Sequence, residues 1–84
     1  MKILPLKRSL QSFIGKHQLE KKWRKQSDLF ETNWRHPSLH TELLEPKELR
    51  IFSFRVDRKY RAIFVFNDNN AVEIIDINNH YSRA

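Results

Sequence analysis

The sequence predicts an α+β fold: an N-terminal α-helical hairpin packed on a twisted, mainly antiparallel four-stranded sheet, in a single domain over residues 1–84. Three observations predict it. Apolar residues up to about residue 33 recur at helical spacing. From residue 41 onward β-branched and aromatic residues alternate with polar ones. The connections in that second half are short polar clusters, which suit antiparallel neighbours. No repeat, linker or low-complexity tract divides the chain.

The elements follow in order. Leu6, Leu10, Phe13 and Ile14 share one helical face, which predicts a helix over 6–14 with Gly15 as its stop. Leu19, Trp23, Gln26 and Phe30 mark a second helix over about 18–33, whose other sides carry Lys21, Lys22, Arg24 and Lys25. Pro37 biases His36 away from the helical region, so HPSL reads as a connecting loop. Strands are expected at 41–45, 50–56, 60–67 and 71–77, joined by PKEL, DRK and DNN into a meander. Phe52, Phe54 and Val56 fall on one face, with Ile51, Ser53 and Arg55 on the other. A turn tipped by Asp68 and Asn69 would set Arg61 opposite Asp76, Ile63 opposite Ile74 and Val65 opposite Val72.

Composition removes whole classes of function. With no cysteine there can be no disulfide, thiolate metal site or cysteine nucleophile, and one glycine cannot build a phosphate-cradling loop. A chain of 84 residues holds one modest core and no cofactor domain. No apolar run approaches the roughly 18 to 20 residues of a membrane span, and MKILPLKRSL lacks a signal-peptide core, so the expectation is a soluble cytoplasmic protein. The net charge of +6 is lopsided: residues 1–25 carry +7, residues 26–50 carry −2 and residues 51–84 carry +1. Such a field captures polyanions, of which nucleic acid is the commonest, although a Lys-rich helix also keeps its solvent face wet.

Several residues could carry chemistry. Arg55 and Arg61 flank the DRK turn. A three-residue loop pairs them on one face, where two guanidiniums would bind phosphate, whereas a two-residue loop pairs Arg55 with Ala62. An ordinary Arg61–Asp76 salt bridge is the plainer alternative. His80 and Tyr81 follow the last strand. They would suit proton transfer and base stacking, or form a surface pair. His36 and His40 have the four-residue spacing of a helical metal site, but Pro37 argues against a helix there. Glu42 and Glu45 lie on opposite faces of their strand, so at most one can join Arg55. Trp23 and Trp34 read first as core residues.

Together HPSLHTELL, FSFRVDRKYRAIFVF and AVEIIDINNHY resemble, in order and spacing, the RelE/ParE superfamily of type II toxin–antitoxin toxins. The arginine of KYRAIF and the terminal HY are similar to the YoeB branch of messenger-RNA interferases. That resemblance implies a short N-terminal strand ahead of the helices, which Pro5 would truncate or remove. It also implies metal- and cofactor-independent cleavage of ribosome-bound messenger RNA by 2′-hydroxyl attack, and an antitoxin partner, expected to be acidic. Carried over, Arg61 matches the phosphate-stabilising arginine, Arg55 a second cation, His80 the general acid and Tyr81 the aromatic beside it. Lys21, Lys22, Arg24, Lys25, Arg58 and Lys59 are the expected RNA-binding cations. Where the YoeB-like pattern has a glutamate as base, this chain offers His36, His40 or Glu42. A ParE-like gyrase inhibitor and a non-catalytic RNA- or ribosome-binding relative are the alternative functions.

Overall fold

A computed structural model describes residues 1–68 and 70–79. The elements in order are β1 (Lys2–Ile3), α1 (Arg8–Lys16), α2 (Glu20–Thr32), a 3₁₀ turn (Pro37–Leu39), β2 (Glu42–Leu43), a second 3₁₀ turn (Lys47–Leu49), β3 (Ile51–Arg55), β4 (Arg61–Asp68) and β5 (Ala71–Asn78). The sheet has five strands in the order β1-β5-β4-β3-β2. β2 to β5 form the expected antiparallel meander, and β1 adds a parallel edge beside β5. The expectation of four strands is thus corrected to five. Pro5 does not abolish the first strand because pairing is complete before it: Lys2 N–H donates to Asn70 O and Leu4 N–H to Val72 O, while Glu31 of α2 accepts from Ile3 N–H at 2.7 Å.

α1 does not stop at Gly15. It runs to Lys16 and closes with the 6→1 and 5→2 bonds of a Schellman motif, Leu19 N–H to Ile14 O and Gln18 N–H to Gly15 O. The left-handed residue such a cap needs is Gln18, at φ 57°. Leu19 then buries against the same core as Ile14. Leu19, Gln26 and Phe30 face inward as their spacing predicts, with Trp23 half-buried beside them.

The helices cover one face of the sheet. Phe30 stacks on Phe54 and meets Phe64 edge-on, and Trp23 stacks on Phe54 at 5.9 Å. Phe52, Phe54, Ala62, Phe64, Val72, Ile74 and Ile77 complete this core, and Leu39 of the first 3₁₀ turn closes one end. Trp34 packs edge-on against Phe52 and Phe66, so both tryptophans serve packing.

The β4–β5 register differs from the expected one. Asp68 Oδ1 accepts from Asn70 N–H, Asp68 pairs with Ala71, and the tip therefore falls one residue later than Asp68–Asn69. Irregularities at Phe66/Asp68 and Ile63/Phe64 then set Phe66 opposite Val72 and Phe64 opposite Ile74, all on the core face. Arg61 consequently faces Asn78, and Ile63 faces Asp76. Asp76 is not the Arg61 partner: its carboxylate accepts from Ile77 N–H and Asn78 Nδ2.

The β3–β4 turn is the three-residue form. Val56 N–H donates to Tyr60 O, leaving 57–59 as the loop, and Arg55 pairs with Arg61. Asp57 Oδ1 fixes this turn by accepting from Lys59 and Tyr60 N–H at 2.8 and 2.7 Å, and Lys22 reaches its other oxygen at 3.4 Å. Burial alone would raise the Asp57 pKa, but those N–H donors and the Lys22 ammonium outweigh it and hold the carboxyl below its ordinary value. A depressed folded-state pKa adds stability that is present above the ordinary carboxylate value, near 4, and is lost as pH falls through the folded value. Urea denaturation between pH 6 and 3 should therefore show an acid limb for the wild type that flattens in Asp57→Asn. That variant keeps an acceptor for the turn but should lose about 1 kcal/mol at neutral pH.

Candidate active site

Alternation and pairing place Glu42, Ser53, Arg55, Arg61 and Ile63 on the sheet face away from the helices, with Glu42 opposite Ser53 and Arg55 opposite Arg61. Arg61 is the centre of this face. Its residue surface is only 6% exposed. Nε donates to Ser53 Oγ at 3.0 Å, and Nη2 donates to the carbonyls of Ser53, at 3.3 Å, and His40. Glu42 Oε2 stands 3.9 Å from the same Nη2, and its side chain is 59% exposed. Burial pushes the Arg61 pKa down, the Glu42 carboxylate pulls it back up and Arg55 pushes it down again. A guanidinium remains protonated under that balance, so the face carries a fixed positive charge.

The segment before β2 is shaped to deliver the His40 carbonyl. His36 Nδ1 accepts from Ser38 N–H at 3.1 Å, capping the 3₁₀ turn, and His40 then takes a left-handed conformation at φ 47°. Thr41 Oγ1 ties the exit to Trp34 O at 2.8 Å. His36, His40 and Glu42 border a cleft of about 350 Å³ against Trp34 and Phe52. His40 meets Arg61 through its backbone, and its side chain is exposed. Among the described residues no group of three or more His, Asp or Glu comes together to hold a metal ion.

A second cleft, of about 570 Å³, runs between α2 and the β3–β4 turn and is bordered by Lys22, Lys25, Arg55, Arg58 and Lys59. Its carboxylate, Asp57, is already held by Lys22 and the turn. Gln26 Nε2 caps the Arg55 carbonyl at 2.7 Å on the part of β3 that lies beyond the two residues pairing with β2. The structure thus gathers four of the six expected RNA-binding cations and connects them, through Arg55, to Arg61. Lys21 and Arg24 are exposed on α2 and do not border this cleft. Glu45 lies outside β2 and exposed. His80 and Tyr81 lie outside the described residues.

Sequence reasoning missed Ser53 and the His40 carbonyl as the acceptors that seat Arg61. Ser53 had a signal: a small hydroxyl between two phenylalanines, on the face of Arg55. The carbonyl had none, because any residue supplies one.

A helical hairpin on a mostly antiparallel sheet, with paired arginines on the face away from the helices, defines a small basic domain of the RelE/ParE kind. The family described as "RelE-like toxin of type II toxin-antitoxin system HigB" matches residues 18–80, and the chain belongs to this HigB-like toxin family. A protein of Haemophilus influenzae, named only "Uncharacterized protein", is 44% identical over 45 residues, which make up 54% of this chain and 39% of that relative. The match therefore spans well under half of the relative's length.

The seating of Arg61 makes a stability prediction. Arg61→Ala leaves the Ser53 hydroxyl and two inward carbonyls short of a donor, and should cost about 1–3 kcal/mol. Arg55→Ala, which removes one of two facing like charges, should stay within about 0.5 kcal/mol of wild type. Urea melts of the two variants would check this, and equal midpoints would show that the buried guanidinium contributes no net stability.

Proposed function

We propose that this chain is the toxin of a type II toxin–antitoxin pair and acts in the cytoplasm as a ribosome-dependent messenger-RNA endonuclease. The observation that carries the reading is the Arg55–Arg61 pair, facing each other across two strands, with Arg55 also bordering a cleft edged with Lys22, Lys25, Arg58 and Lys59. Like charges directly opposite on a sheet repel, and an entering phosphodiester relieves that repulsion. Arg61 has Nε and Nη2 engaged by the protein, so it acts on the phosphate mainly through its field, and the half-buried Arg55 supplies donors to the phosphate oxygens.

In the proposed reaction Glu42 takes the proton from the substrate 2′-hydroxyl, the 2′-oxygen bonds to phosphorus, and the bond from phosphorus to the 5′-oxygen breaks. His80 protonates the departing oxygen, leaving a 2′,3′-cyclic phosphate and a 5′-hydroxyl. Glu42 is preferred to His40 as acceptor because its carboxylate lies on the site face, 3.9 Å from Arg61, whereas His40 contributes its carbonyl. His80 is assigned by the family resemblance, and Asn78, two residues earlier, stands across from Arg61. The partner is an antitoxin with an acidic segment, matched to the cationic cleft.

Primer extension on a message translated in a reconstituted system tests the proposal. Wild-type protein should produce cuts only when ribosomes engage the message. Arg55→Ala and Glu42→Gln should each slow cutting by about 100-fold while melting as wild type does. Undiminished cutting by Arg55→Ala would overturn the site. Inhibition of purified gyrase by wild-type protein, with intact message, would instead move the chain to a ParE-like activity.

A further inference from the structure

Lys59 and Asp57, which border the basic cleft, also contact Tyr60, part of a group of rings that the proposed reaction does not use. His17, the residue closing α1, sits on Phe13 with ring centroids 4.1 Å apart, and its Nδ1 lies 3.2 Å from the Tyr60 hydroxyl. Phe13 meets Tyr60 edge-on at 5.6 Å. The Lys59 ammonium stands over the Tyr60 ring at 5.5 Å, and the same Lys59 borders the cleft. Asp57, at the cleft wall, accepts from Tyr60 N–H, so the rings and the cleft share one rigid turn. Packing accounts for Phe13 and Tyr60, which are half-buried against each other. It leaves His17 exposed, its ring tilted by 34° on Phe13 and by 53° to the Tyr60 ring at 5.5 Å.

Cations that track a sugar–phosphate backbone next to a flat ring fixed from behind are the elements of a single-strand binding surface, because every nucleobase has a face to stack and stacking contributes about 1–3 kcal/mol per base. We infer that His17, backed by Phe13 and anchored by Tyr60, is a nucleobase-stacking shelf that receives one base of an RNA strand lying along the Lys22–Lys59 cleft. The inference rests on the proposed RNA substrate, and it adds a contact remote from the reacting phosphate, one that holds the strand without reading its sequence.

A binding assay separates the shelf from the chemistry. The probe is a fluorescein-labelled single-stranded oligodeoxyribonucleotide, which lacks the attacking hydroxyl, alongside the same strand built with abasic residues. Anisotropy titrations across a salt series are expected to show His17→Ala binding the ordinary strand about five- to tenfold more weakly, with the abasic strand unaffected and the salt slope unchanged. Lys59→Ala should weaken both strands and reduce the salt slope by about one. Equal effects of His17→Ala on the two strands, or none on either, would overturn the shelf even if message cleavage is intact. Failure of wild-type protein to bind either strand at low salt would overturn both the shelf and the RNA cleft.

Discussion

The sheet face away from the helices depends on one buried cation. Moving a guanidinium out of water costs several kcal/mol unless hydrogen bonds and opposite charge offset it. Arg61 meets that demand with the Ser53 hydroxyl and carbonyl, the His40 carbonyl and, at the rim, Glu42. Those acceptors come from β3, from the bend before β2 and from β2 itself, so a side chain on β4 joins segments that are far apart in sequence. β2 has only two residues in the ladder, too few to hold the 36–41 segment by strand pairing alone. The guanidinium supplies part of what the short strand lacks.

The same arrangement sets the electrostatics. Arg55 stands directly across from Arg61, a pairing that costs stability in the isolated protein. The register that forces it is held by the three-residue turn, and Asp57 holds the turn through two backbone N–H groups. One carboxylate with structural duties therefore fixes the position of two cations, and Lys22 from α2 is drawn to it as well. A +6 chain has many cations, but this turn decides which of them converge. Lys22, Lys25, Arg58 and Lys59 share a cleft because α2 packs beside it, whereas Lys21 and Arg24 lie elsewhere on the same helix.

Much of this was legible in the sequence. Helical spacing identified Leu10, Ile14, Leu19, Gln26 and Phe30 as inward residues, and alternation grouped Phe52, Phe54 and Val56 on one strand face, which proves to be the core face; all of these residues are buried. Segments resembling the superfamily led to the family that the chain proves to belong to. What was not legible depended on side chains replacing backbone conventions. Gln18 takes the left-handed cap position that glycine usually fills, so Gly15 gave a false stop. Asp68 accepts from Asn70 and shifts the β4–β5 tip, and two irregularities then realign the strand so that Phe64 and Phe66 reach the core. The β1 strand was implied only by the resemblance and left out of the four expected strands, because two residues just ahead of a proline carry almost no strand signal. Its stability comes from Glu31 and β5, which are remote in sequence.

An apparent conflict in the proposed site resolves in the same terms. A guanidinium whose Nε and Nη2 hold the protein together has fewer hydrogen bonds left for a substrate, yet its charge persists, and low exposure reduces the solvent screening of that charge. A side chain held from several directions also needs no reorganisation when charge develops on a phosphate, which is the condition under which electrostatic stabilisation is most effective. Arg55 has the complementary properties: half-buried, with its backbone carbonyl fixed by Gln26, it stands at the cleft where a phosphate oxygen would enter. In the proposed reaction, division of labour between a seated cation and an accessible one would let a core this small supply both rigidity and binding. It also separates their expected mutational signatures, since loss of the first lowers stability as well as cutting and loss of the second lowers cutting alone.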